Sequence, residues 1–121
     1  MIKNEALKYI CNIPLIYHAD GKISYRKLFT KAVKFIKEFE INRSDLVNYL
    51  KNNPSYIEIW HEYAQNKRGA EAYYLSYENN IYSFGFMAKK TSDNVVFKVS
   101  EEPYELCAEF VLKDCEYIST L

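Results

Sequence analysis

The sequence predicts an α+β domain: N-terminal helices, then a three-stranded antiparallel sheet made of a hairpin plus one strand, then a C-terminal helix. Three observations carry this. Apolar residues recur at helical spacing through the first half of the chain. At Gly69 the period switches from 3.6 to 2. After Pro103 a polar stripe returns at helical spacing. Residues 1–121 form one domain, long enough to bury a core.

Leu7, Ile10 and Cys11 start a short amphipathic segment that Pro14 is expected to kink or end, and Asp20-Gly21 closes the region as a turn. Ser24 is a good N-cap for a second helix. There Leu28, Ala32, Phe35, Ile36 and Phe39 form one apolar stripe, with Lys27, Lys31, Lys34 and Lys37 on the wet side. Ser44-Asp45 reads as the cap of a third, short helix through Leu46, Val47 and Leu50. Asn53-Pro54 ends it and puts proline at the first position of a fourth. In that helix Ile57, Trp60 and Ala64 share a face, and Lys67-Arg68-Gly69 reads as its C-terminus.

Glu71 to Glu78 and Ile81 to Ala88 alternate as strands around Asn79-Asn80, a two-residue turn whose asparagines tolerate positive φ. The turn fixes the register. One face opposes Tyr77 to Tyr82, Leu75 to Phe84 and Tyr73 to Phe86, and this aromatic face must be covered by protein or a partner. The other opposes Ser76 to Ser83, Tyr74 to Gly85 and Ala72 to Met87, with Tyr74 able to lie over the glycine. Lys89 to Asn94 reads as a polar loop and Val95 to Val99 as the third strand. The last segment is ambiguous: Tyr104, Leu106, Ala108, Phe110 and Leu112 alternate, yet Glu102, Glu105, Glu109 and Lys113 trace a helical stripe with Glu109 and Lys113 at i, i+4. A run of that length after a proline favours helix.

The 16 basic and 16 acidic residues cancel, which weighs against a dedicated nucleic-acid binder and gives no steering towards an anionic membrane. Cys11, Cys107 and Cys115, odd in number and widely spaced, fit neither a disulfide framework nor a zinc site and read as small buried hydrophobes. No apolar run approaches signal or membrane-span length, so a cytoplasmic protein with no membrane association is expected. The 12 tyrosines beside 7 phenylalanines stand out, because tyrosine combines large area with few rotors and a polar tip, suited to a core rim or a binding face.

No catalytic, metal or cofactor signature appears, and no enzyme is expected. His61-Glu62 lies on a helix, but the place of a second zinc histidine is taken by Gln65. Asp20-Gly21-Lys22-Ile23 resembles the middle of a calcium loop, but Ile16 occupies the first ligand position. No nucleophile sits on a glycine-flanked elbow, and the three glycines are too scattered to cradle a phosphate.

Two segments fit a protein interface. Trp60, His61, Tyr63, Lys67 and Arg68, running into Tyr73 and Tyr74, are rich in residues enriched at interface hot spots, although Trp60 also suits a core. The acidic Glu101, Glu102, Glu105 and Glu109 would complement a basic cleft such as a nuclease's, or would simply be a solvated helix face. The segment Trp60-x-x-Tyr63-x-x-Asn66-Lys67-Arg68, followed by Tyr73-Tyr74, resembles helix-to-hairpin junctions in immunity proteins of bacterial polymorphic toxin systems, including contact-dependent growth inhibition. That resemblance implies a tight complex with one cognate toxin domain, often a nuclease, whose active site is occluded. It transfers no catalytic residues. The alternative is a winged-helix nucleic-acid-binding regulator, which matches the order of the middle helices and the hairpin. Its recognition helix would be Tyr56 to Tyr63, which is acidic and aromatic instead of basic. The oligomeric state is left open.

Overall fold

In the computed structural model, which describes residues 1–66 and 71–121, the chain begins with helix α1 (Lys3–Cys11), whose Glu5 Oε1 accepts the Ile2 N–H at 3.2 Å. Pro14 does not end the N-terminal segment as expected. It falls in the first turn of a second helix, α2 (Ile13–Ala19), where a missing N–H has no partner to lose. Among the described residues, five helices therefore precede the sheet where four are expected. Helix α3 (Tyr25–Glu38) starts as predicted, with Ser24 Oγ accepting the Lys27 N–H at 3.2 Å. It buries Leu28, Phe29 and Ala32 and leaves its four lysines exposed. Its end is a Schellman turn without a glycine: Glu40 takes φ 50° so that Ile41 N–H can reach Ile36 O at 2.9 Å.

Helix α4 (Arg43–Asn52) is capped two residues before the expected Ser44. Asn42 is the cap, in a reciprocal box in which Asn42 Oδ1 accepts the Asp45 N–H at 2.9 Å and Asp45 Oδ2 accepts the Asn42 N–H at 3.0 Å. Ser44 and Asp45 are thus already helical. Helix α5 (Ser55–Gln65) is capped by Pro54, so the proline precedes the first helical position instead of occupying it. The expected helix end at Lys67-Arg68-Gly69 lies outside the described residues.

Strands β1 (Ala72–Glu78), β2 (Ile81–Met87) and β3 (Val95–Ser100) form one antiparallel sheet in the order β1-β2-β3. All six predicted hairpin pairs are present, and Asn79 and Asn80 both carry positive φ, 52° and 65°. Between β2 and β3 the register slips at Phe84/Gly85, leaving Phe97 as the extra residue of a bulge. The loop before β3 folds around Asn94, whose Oδ1 accepts the Ala88 N–H at 2.8 Å.

The final segment is helix α6 (Tyr104–Ser119), which lies at the centre of the molecule. It packs on α3 and α4 on one side and on α5 and the sheet on the other, burying Leu106, Cys107, Ala108, Phe110, Val111, Asp114 and Cys115. Phe110 meets Trp60, Tyr63 and Phe84 at ring-centroid distances of 6.2–6.5 Å, and Tyr117 meets Tyr73 and Phe86 at 5.6 and 5.9 Å. These contacts cover the Leu75–Phe84 and Tyr73–Phe86 pairs of the hairpin's aromatic face. Among the described residues no helix is long and apolar enough to cross a membrane.

Candidate protein-binding surface

Because α6 covers one face of the sheet, strand alternation turns Tyr74, Ser76, Ser83, Met87, Val96 and Val99 to the other. Met87, Val96 and Val99 are 45%, 60% and 62% exposed, and Ile81 on the same side is 44% exposed. Tyr74 lies over Gly85 as expected, and no side chain fits between them: a Cβ on the glycine would sit 2.6 Å from the Tyr74 hydroxyl. The solvent side of the sheet thus carries an apolar strip, interrupted by Ser76 and Ser83 and bordered by Glu78.

At the hairpin end, on the face opposite the strip, lies a shallow groove of about 410 Å³ lined by Glu58, His61, Tyr77, Tyr82, Pro103 and Tyr104. Tyr77 and Tyr82 are the last predicted pair of the inner face. They stack at 4.3 Å, and Tyr77 stays 44% exposed because the hairpin overhangs the helices. Tyr77 also donates to Asn80 Oδ1 at 3.2 Å, which ties the ring to the turn. Burial, with Tyr77 beside it, raises the Tyr82 pKa, so the phenol keeps its proton. Lys51 Nζ sits 5.9 Å from the Tyr104 ring centroid. Glu101, Glu102 and Glu105 flank Pro103-Tyr104 in the chain and are exposed.

The structure separates residues that the sequence pattern groups. His61 is half-buried in the groove, beside the segment that holds Glu101, Glu102 and Glu105. Trp60 is not a surface residue: it is fully buried, and its Nε1–H donates to Cys11 O at 3.1 Å. Tyr63 is buried as well, its hydroxyl donating to Asp114 Oδ2 at 2.6 Å. Desolvation, then the neighbouring Asp114 carboxylate, pushes the Tyr63 phenol far above its ordinary range. Both residues belong to the core because the helix turns them inward with Ile57. Lys67 and Arg68 lie outside the described residues.

Glu109 also leaves the acidic face. Arg43 Nη1 and Lys98 Nζ reach its Oε1 at 2.8 and 3.1 Å, bridging α4, β3 and α6. Burial would raise its pKa, but the hydrogen bonds from Arg43 and Lys98 outweigh that and the net shift is downward. The expected Glu109–Lys113 pair is not formed. The three thiols are buried, Cys11 pushed up to about 12 by desolvation, so none is poised as a nucleophile.

The sequence pattern does not single out Tyr77, Tyr82, Tyr104, Val96 and Val99 as contact residues. It assigns the first two to a covered face, and nothing local marks where a hairpin outruns the helices beneath it. For the valines a signal exists: a β-branched strand last in the sheet has only one neighbour. No protein-family model, curated protein or solved structure matches this chain.

Proposed function

We propose that this chain is a cytoplasmic immunity protein that binds one cognate toxin domain and covers its active site. The observation that carries the reading is the tyrosine-lined groove at the hairpin end beside the exposed Glu58 and the exposed Glu101-Glu102 segment, with the apolar sheet strip on the hairpin's other face. Tyr77, Tyr82 and Tyr104 offer large contact area at little rotamer cost, the kind of anchor that dominates tight interfaces. Glu58, Glu101, Glu102 and Glu105 give that end a negative field that complements a basic cleft, as in a nuclease, and speeds encounter with it. The projecting turn at Asn79-Asn80 would enter the cleft while the apolar strip seals its rim. Inhibition of this kind needs shape and charge, and no chemistry.

The winged-helix alternative asks α5 to read bases. Its accessible side chains include Glu58, Glu62 and Gln65, and acidic groups repel phosphates.

The test is co-expression with the C-terminal domain of a toxin encoded beside this chain's gene. Growth rescue and a co-purifying complex are expected. Reversing Glu101, Glu102 and Glu105 to lysine should weaken that complex at least about tenfold, and more at low salt, while thermal unfolding stays within a few degrees. Absence of rescue, or an affinity of micromolar or weaker, overturns the reading, because a lethal enzyme must be titrated almost completely.

A further inference from the structure

Strand β3 has a free edge. The opposite edge of the sheet, on β1, lies beside α5, where Gln65 Nε2 donates to Leu75 O at 3.0 Å. Among the described residues, no side chain or loop outside the sheet bonds to the backbone of β3, whose only neighbour is β2. The edge carries few of the features that keep edges unpaired. It has no proline, and its one charge, Lys98, is turned inward and bonded to Glu109. Val95, Val96, Phe97 and Val99 are 45%, 60%, 51% and 62% exposed. The bulge at Phe97, which twists the strand, and the inward-turned Lys98 are its two protective features.

The charges flanking β3 say what fits it. Lys89-Lys90 lies before the strand and Glu101-Glu102 after it, all four exposed. Asp93 offsets one of the lysines and leaves that end positive. We infer that a second copy of this chain pairs antiparallel with β3 across a two-fold axis, forming a six-stranded sheet. Only the antiparallel sense places each lysine pair beside the other copy's glutamate pair, and two-fold symmetry makes that contact twice. The edge is its own electrostatic complement. The two solvent-side strips then join into one surface, while Glu101 and Glu102 are taken up by the other copy's lysines, so dimer and toxin compete for these two carboxylates. This inference does not rest on the immunity reading.

Sedimentation equilibrium on the full chain tests it. A concentration-dependent dimer is expected at or below about 100 µM, weakening as salt rises. The double variant Glu101→Lys/Glu102→Lys makes both ends positive, and Lys89→Glu/Lys90→Glu makes both negative. All four positions are exposed, so each variant should fold. Each alone should self-associate at least about tenfold more weakly than the natural chain, and an equimolar mixture of the two should recover a heterodimer. A natural chain that stays monomeric throughout that range overturns the inference, as do variants that self-associate unchanged or fail to pair on mixing. A failed growth rescue leaves the sedimentation result intact, and a monomer leaves the rescue intact, so the two readings fail separately.

Discussion

Gly85 shows how one residue can be held from two sides. A Cβ there would collide with the Val95 carbonyl oxygen on β3 and lie 2.6 and 2.7 Å from the Tyr74 hydroxyl and ring. The tyrosine can swing away, but the carbonyl can retreat only by breaking the β2–β3 ladder. Gly85→Ala should therefore cost about 1–3 kcal/mol, read as a lower urea midpoint at unchanged slope, and adding Tyr74→Ala should not restore it. Glu40 is the opposite case. It holds φ 50° at the end of α3, where only glycine escapes the Cβ penalty. Glu40→Gly should stabilise by roughly 0.5–1 kcal/mol and raise the melting temperature, since Ile41 stays buried and the Schellman bonds are kept. No glycine in the sequence marks that turn, so only the backbone reveals it.

Between elements, Glu109 clamps α4 and β3 to α6, and its protonation sets an acid limb of stability. Its folded-state pKa lies below the ordinary glutamate value of 4.5, so the unfolded chain binds the proton more readily. The clamp's contribution is complete above that value and disappears as pH falls through the lower, folded-state pKa. The partner side chains are 47% and 39% exposed, so screening limits it to about 1 kcal/mol or less. Glu109→Gln should therefore lower stability at neutral pH by that amount, with the gap to the natural chain closing on acidification; a gap that is constant with pH would contradict the clamp. Element types and the hairpin register are legible in the amino-acid sequence, because periodicity, Ser24 and the Asn79-Asn80 turn are local signals. Helix starts are less so. Asn42 competes with Ser44-Asp45 as a cap on equal chemical terms, and Pro14 can end a helix or begin one.

At the scale of the molecule, α6 organises everything else. It is buried on most sides, and the rings of Phe29, Trp60, Tyr63, Phe84 and Phe110 interlock around it. The last segment of the chain thus becomes its interior, and the tyrosine excess is shared between this core and the groove at the hairpin end. The sequence by itself determined the α+β class, the strand pairs and the closing helix, since each follows from residues close together in the chain. The apolar face shared with Ile57 already suits Trp60 to the core, whereas tertiary packing alone decided that Tyr63 faces inward, that Glu109 turns to Arg43, and that Tyr77 and Tyr82 overhang into a groove beside Glu58. Burial and pairing depend on which distant elements meet, and a one-dimensional pattern carries which face of an element is apolar but not what will cover it.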